Sequence, residues 1–156
     1  MLEHSDEGAL GIVLNRPSET TLDDVLPEWR VVASDPPVVF VGGPVSPEAV
    51  IALGRGHAEE REGWVPILDD LGTVDLGTDP LDLGVPIDRL RVFVGYAGWG
   101  ANQLESELEA NAWFVVDAAS NDPFAPEPEN LWRDVLKRQR GKVAMFANYP
   151  EDTTAN

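Results

Sequence analysis

Two short segments hold backbone amides and side chains in patterns that can bind or react. In the first, Gly95-Tyr96-Ala97-Gly98-Trp99-Gly100 precedes Asn102-Gln103-Leu104-Glu105. A strand, a glycine turn and a capped helix in that order have the general form of an anion cradle, because the first helical amides lack partners and the dipole points at the ligand. Here the helix starts with Glu105, Glu107 and Glu109 and has no lysine or arginine, so a phosphate would meet like charge. The spacing is neither the dinucleotide fingerprint nor a phosphate loop with its lysine. What the turn does offer is Tyr96 and Trp99, as a stacking surface for a planar ligand, a hot spot for a protein partner, or the closing layer of the core. In the second segment, Gly42-Gly43-Pro44 follows Val39-Phe40-Val41 just as Gly95 follows Val92-Phe93-Val94. If the two VFVG copies are neighbouring parallel strands, both turns open on one sheet edge and the crevice between them is the natural binding position.

Other chemistry-bearing residues are scattered. Asn15-Arg16-Pro17 ends an apolar run, and Arg16 can hold a carboxylate ligand or pair with a local acid. His4 lies among Glu3, Asp6 and Glu7, which are metal-capable types, but no second histidine stands at ligand spacing, so a solvated turn is the simpler reading. His57 has no serine or cysteine at an interpretable offset, and no GxSxG elbow occurs, which leaves a hydrolase triad without support. Asp69-Asp70 are adjacent acids of a turn. Residues 133–142, RDVLKRQRGK, carry five basic residues against one acid. They can contact nucleic acid, complement the end of a helix or neutralise acidic surface, but no second helix at turn spacing makes a helix-turn-helix. No catalytic residue, metal site or cofactor follows from these residues. The candidate binding set is Asn15, Arg16, Gly42, Gly43, Gly95, Tyr96, Gly98, Trp99, Gly100 and Asn102.

The totals bound the partners. With 28 acidic and 11 basic residues the chain carries −17, a surface that repels nucleic-acid backbones and anionic lipid. The 156 residues include no cysteine, which excludes disulfides and thiolate chemistry. No apolar run approaches the roughly 18 residues of a membrane span, and no leader pattern opens the sequence, so a cytoplasmic protein is the expectation. The length predicts one domain over 1–150, with 151–156 as a frayed tail.

These residues must be positioned by a mixture of short strands and helices. Residues 8–14 and 38–41 read as buried strands, and 90–94 as the strand feeding the glycine turn. Thr21 with Asp24 predicts a capped helix over 22–26, Ser46 with Pro47 a helix closed by Gly54, and Asn102 with Glu105 a third. Trp64–Leu68 and Thr73–Leu76 predict a hairpin joined by the four residues 69–72. Asp79-Pro80 suggests a short helical turn, Trp113–Asp117 a returning strand and 120–130 a proline-bearing loop. Leu131, Val135 and Leu136 mark a last helix, and Val143–Phe146 a terminal strand.

Three segments in order, EHSDEGALGIVLNRPSE at 3–19, VFVGGPV at 39–45 and GYAGWGANQLESELEANAW at 95–113, resemble the YqgE/AlgH family of bacterial proteins. The resemblance runs from about residue 2 to the middle of the last helix. It implies an α+β fold with a mixed, bent β-sheet flanked by helices, in a cytosolic protein described as a transcriptional regulator and without agreed catalytic residues. Relatives have some twenty or more residues before the segment matching Leu2-Glu3-His4, including a first strand. A chain beginning at Met1 is therefore expected to lack that strand, unless its start was assigned late.

The reading that follows is a non-catalytic regulatory or interaction module that binds an unidentified protein or small-molecule partner at the glycine-turn crevice. The alternatives are a small-ligand enzyme using the same crevice, with Asn15, Arg16 and Asn102 as polar contacts, and a DNA-binding regulator. A deep pocket at 95–100 would favour a ligand there, and a flat apolar patch a partner.

Overall fold

A computed structural model describes residues 1–56 and 59–148; His57 and the tail at 151–156 lie outside the described residues. In chain order the strands are β1 (Glu3–Ser5), β2 (Gly8–Gly11), β3 (Pro17–Thr21), β4 (Val38–Val41), β5 (Val45–Arg55), β6 (Trp64–Leu68), β7 (Leu71–Val74) and β8 (Arg89–Gly100). The α-helices are α1 (Leu22–Val25), α2 (Gln103–Glu109), α3 (Leu131–Lys137) and α4 (Lys142–Met145). Strand order is β1-β2-β8-β5-β7-β6, with β4 also on β8 and β3 on β4.

The VFVG echo organises this sheet. β4 runs parallel to β8 with Phe40 opposite Phe93 and Val41 opposite Val94, so the two copies lie side by side in matching register. The other pairings are antiparallel, which makes the sheet mixed. Alternation along each copy sends the phenylalanines to one face and the valines to the other. Phe40 and Phe93 meet with ring centroids 5.8 Å apart and cluster with Leu53. Val39 and Val92 join Trp29, Trp64 and Leu90 on the opposite face. Burying each such side chain contributes about 1.5–3 kcal/mol.

β8 bends where it changes neighbours. On the edge away from β5 it pairs with β4 at Phe93 and Val94, then with β2 from Ala97 to Gly100. Between them stands Gly95 with φ +69°, a left-handed conformation that interrupts the pleat and that glycine adopts without a Cβ penalty. The result is an α+β fold on a mixed, bent sheet with short helices around it.

Several local expectations are corrected. The segment Val45–Arg55 is a strand, not a helix opened by Ser46 and Pro47. Its AVIAL run suits either state over a short window, and the long ladder to β8 decides it. β8 continues through Gly98 to Gly100, so the glycine segment is strand with one kink rather than a turn. The strand at 8–14 stops at Gly11, and the polar strands β1 and β3 have no apolar alternation to announce them. The β6–β7 connection is Asp69-Asp70 alone, with Asp69 at φ +52°, a conformation aspartate tolerates. Trp113–Asp117 has no strand partner among the described residues, and Val143–Phe146 is helical, starting from Gly141 at φ +69°. The 120–130 loop contains two 3₁₀ turns, Asp122–Phe124 and Pro128–Asn130.

Among the described residues two charged side chains are buried, Asp122 and, more deeply, Arg91. Arg91 is 1% exposed, with its guanidinium 4.3 Å from the Phe40 ring centroid. Nη1 donates to the Ala125 carbonyl at 2.9 Å and Nη2 to the Asp35 carbonyl, which ties two loops to β8. Burial lowers its pKa to about 10, opposed by the charge of Asp35, so the group stays protonated at neutral pH.

Candidate interaction site

Beyond the Gly95 kink, β8 presents Trp99 beside β2, and α2 folds back against both strands. Leu104, buried, anchors α2, while Asn102 enters it at φ +62° with its side chain making no cap bond. Its carbonyl instead accepts from the Ser106 amide at 3.2 Å and the Ser106 hydroxyl at 2.9 Å. One turn later, Glu107 collects three donors. Its Oε2 accepts from Trp99 Nε1 at 3.0 Å and Trp113 Nε1 at 2.6 Å, and its Oε1 accepts from Gln103 Nε2 at 3.0 Å. Gln103 Oε1 in turn accepts from the Gly100 amide at 3.1 Å. The hydrogen bonds from Trp113, Gln103 and Trp99 hold the Glu107 carboxyl below its ordinary value.

The two indoles stand edge to face with centroids 5.8 Å apart, a favoured geometry for aromatic pairs. Trp99 is half-buried, its ring 3.3 Å from where a Cβ on Gly11 would sit. Trp113 is 50% exposed, followed by Phe114 at 49% and Val115 at 81%. Phe114 packs on Phe146 with centroids 4.9 Å apart. Thus two indoles are held by one carboxylate at the rim of an exposed apolar strip. Trp99 also borders an open groove of about 230 Å³ with Glu3, Ser5, Glu7 and Gly8–Leu10. His4, on β1, sets Nε2 2.5 Å from Glu105 Oε1, and this bond is the largest cause of the lowered Glu105 pKa. Glu3 and Glu7 make the groove beside Trp99 acidic.

The residues singled out from sequence fall along one end of the sheet. Gly42 and Gly43 are buried against the kink. A Cβ on Gly42 would stand 2.4 Å from the Gly95 carbonyl oxygen, and one on Gly95 2.5 Å from that of Gly43. Main chain fills the space between the two bends, which explains the three glycines by close approach. Asn15 and Arg16 run alongside, since the Val41 amide donates to the Arg16 carbonyl and the Val13 amide to the Gly42 carbonyl, both at 2.8 Å. Arg16 is exposed, with no side-chain hydrogen bond or ion pair among the described residues. Tyr96 is half-buried, and Gly98, Gly100 and Asn102 are exposed.

Sequence reading missed Glu107, Trp113 and the His4–Glu105 contact. Gln103 and Glu107 at spacing four on a helix were a legible pair, whereas the Trp113 contact depends on the turn after α2. Among the described residues no three metal-capable side chains converge, and no helix is long and apolar enough to cross a membrane. Within 133–142, Arg138 pairs with Asp122 and Lys137 with Asp134 at 3.5 Å.

Known proteins resemble this chain in sequence and in fold. The sequence profile of AlgH-like proteins matches residues 1–144. A UPF0301 protein of Streptomyces coelicolor is 45% identical over 161 residues, covering 100% of this chain and 83% of the relative. A UPF0301 protein of Thermobifida fusca is 43% identical, covering 97% of this chain and 81% of the relative. Among solved structures, protein DIP2367 from Corynebacterium diphtheriae superposes with TM-score 0.85 at 29% identity, over 94% of this chain and 79% of that one. The solution structure of the AlgH protein from Pseudomonas aeruginosa gives TM-score 0.67 at 28% identity, over 96% and 82%. With a matching profile across most of its length and relatives this similar, the chain belongs to the AlgH-like family.

Proposed function

We propose that this protein is a non-catalytic interaction module that docks a protein partner on the outer end of β8, across Tyr96, Trp99 and Trp113, with Asn102 at its edge. One observation carries the reading: two indoles are fixed by a shared carboxylate beside an exposed apolar strip. Rigid aromatic side chains cost little conformational entropy on binding and dominate protein contacts. Glu3 and Glu7 line the groove beside Trp99, so the matching partner surface is apolar with a basic rim. The buried glycines 42, 43 and 95 set the angle at which the aromatic end projects, and Arg16 and Asn15 flank its other side. A regulatory role in the cytosol fits such a module, with specificity residing in the partner.

Immobilised peptide panels test this directly. Peptides that combine aromatic or aliphatic residues with lysine and arginine should bind and shift the tryptophan emission, and Trp113→Ser should abolish the response while the far-UV spectrum is unchanged. Equal binding of acidic peptides, or full binding by Trp113→Ser, would contradict the reading.

A further inference from the structure

On its valine face the sheet is partly open. Leu2 packs with the Phe40–Phe93 cluster on the other side, while here Val39 and Val92 lie side by side on β4 and β8 and Val94 continues the row. These three valines floor a groove of about 610 Å³. Val50 of β5 stands on one rim, 54% exposed, and Val25 of α1 on another, 49% exposed. Leu26 and Leu76 add to its walls. Its polar side chains come from β3, where Ser18 and Thr20 reach the groove. Ser18 Oγ accepts from the Thr20 amide at 3.2 Å, which leaves its own hydrogen to donate, and the Thr20 hydroxyl has no partner among the described residues.

Size, charge and stiffness decide what such a groove takes. Small-molecule sites measure about 300–1,000 Å³ and are apolar, with a few polar groups that fix orientation, and this groove has that size and make-up. One residue in four of this acidic chain is charged, yet none that lines the groove is. An ionised ligand would therefore give up hydration without meeting a counter-charge. The floor valines are β-branched and stiff at χ1, on strands fixed by their ladder, so binding there orders little. The lining holds no tryptophan, tyrosine or arginine, the side chains that anchor protein partners.

We infer that the valine groove is a binding site for a small neutral apolar molecule, an aliphatic chain or ring carrying one hydroxyl or carbonyl that pairs with Ser18 and Thr20. It shares no residue with the docking surface and stands without it.

Valine-methyl NMR of the full chain, titrated with 1-octanol, octanoate and octylamine, tests the assignment. Octanol should move the methyl signals of Val39, Val50, Val92 and Val94 saturably, with octanoate and protonated octylamine each at least about tenfold weaker. Thr20→Val should weaken octanol about two- to tenfold by removing one hydrogen bond. Val50→Trp, at a half-exposed rim position, should weaken it further by filling the groove. Val65→Trp, similarly exposed on β6 and outside the groove, should leave octanol binding unchanged. Wild-type methyls unmoved by octanol at its solubility limit would overturn the site whatever the variants do. Octanoate binding as tightly as octanol would overturn the assigned ligand class. Shifts of the same methyls with protein concentration alone, and none with octanol, would give the groove to a second copy of the chain and overturn the proposal.

Discussion

Replacing Gly95 by alanine probes the joint on which the bent sheet depends. At φ +69° an alanine occupies a left-handed conformation that costs about 1–2 kcal/mol. Its Cβ would also stand 2.5 Å from the Gly43 carbonyl oxygen and 3.1 Å from that of Val45, backbone atoms that cannot rotate away. Relief requires β4 and β5 to shift away from β8, an overpacking penalty of about 1–3 kcal/mol more. Together the loss is about 2–5 kcal/mol, or a fall in Tm of roughly 4–20 °C for a domain of this size. Gly100→Ala is the matched control: nothing lies within 4 Å of its Cβ and its φ is not left-handed, so a change within about 0.5 kcal/mol is expected. Urea unfolding followed by circular dichroism measures both. A Gly95→Ala variant as stable as Gly100→Ala would refute the argument that close backbone approach explains this glycine.

Three further outcomes follow from the same geometry. Arg91→Met keeps the bulk of the side chain but strips the Ala125 and Asp35 carbonyls of their donor, and should destabilise by about 2–4 kcal/mol in urea unfolding. Because hydrogen bonds hold the Glu107 carboxyl below its ordinary value of 4.5, the clamp contributes stability above that value and loses it as pH falls through the depressed one. Near-ultraviolet dichroism should show the two indoles loosening only in that acid range, and Glu107→Gln should remove the transition. His4→Ala should weaken the tie between β1 and α2, seen as faster amide exchange in Glu3–Ser5, with the urea midpoint nearly unchanged because both partners are exposed.

The parts of this fold legible in the sequence were those written locally in both spacing and composition. The repeated VFVG offered neighbouring parallel strands as one reading, and the sheet pairs the two copies in the register of the repeat. The helix after Gly100 was readable from Leu104 and its acidic flank, and the last helix from Leu131 and Leu136, both buried. Elements decided by distant pairing were not. Ser46 and Pro47 look like a helix start until β8 offers Val45–Arg55 a ladder, and Gly98 and Gly100 look like a turn until β2 pairs with them. The same holds for the site. Tyr96, Trp99 and the glycines stood out by residue type, but the carboxylate that orients Trp99 was one of three similar glutamates, and only the fold shows that Glu107 faces the indoles. Arg91 sat in an apolar run where its burial against Phe40 had no local signal.

On the proposed reading, the indoles of Trp99 and Trp113 form an exterior docking surface rather than a piece of core. The most direct measurement is the pair Trp113→Ser and Trp99→Ser, compared by urea unfolding and by binding to a basic, aromatic peptide. Binding lost in both, with Trp113→Ser costing less than about 1 kcal/mol of stability, is the predicted result. A loss of about 3 kcal/mol or more at Trp113, or peptide binding untouched by either change, would contradict it.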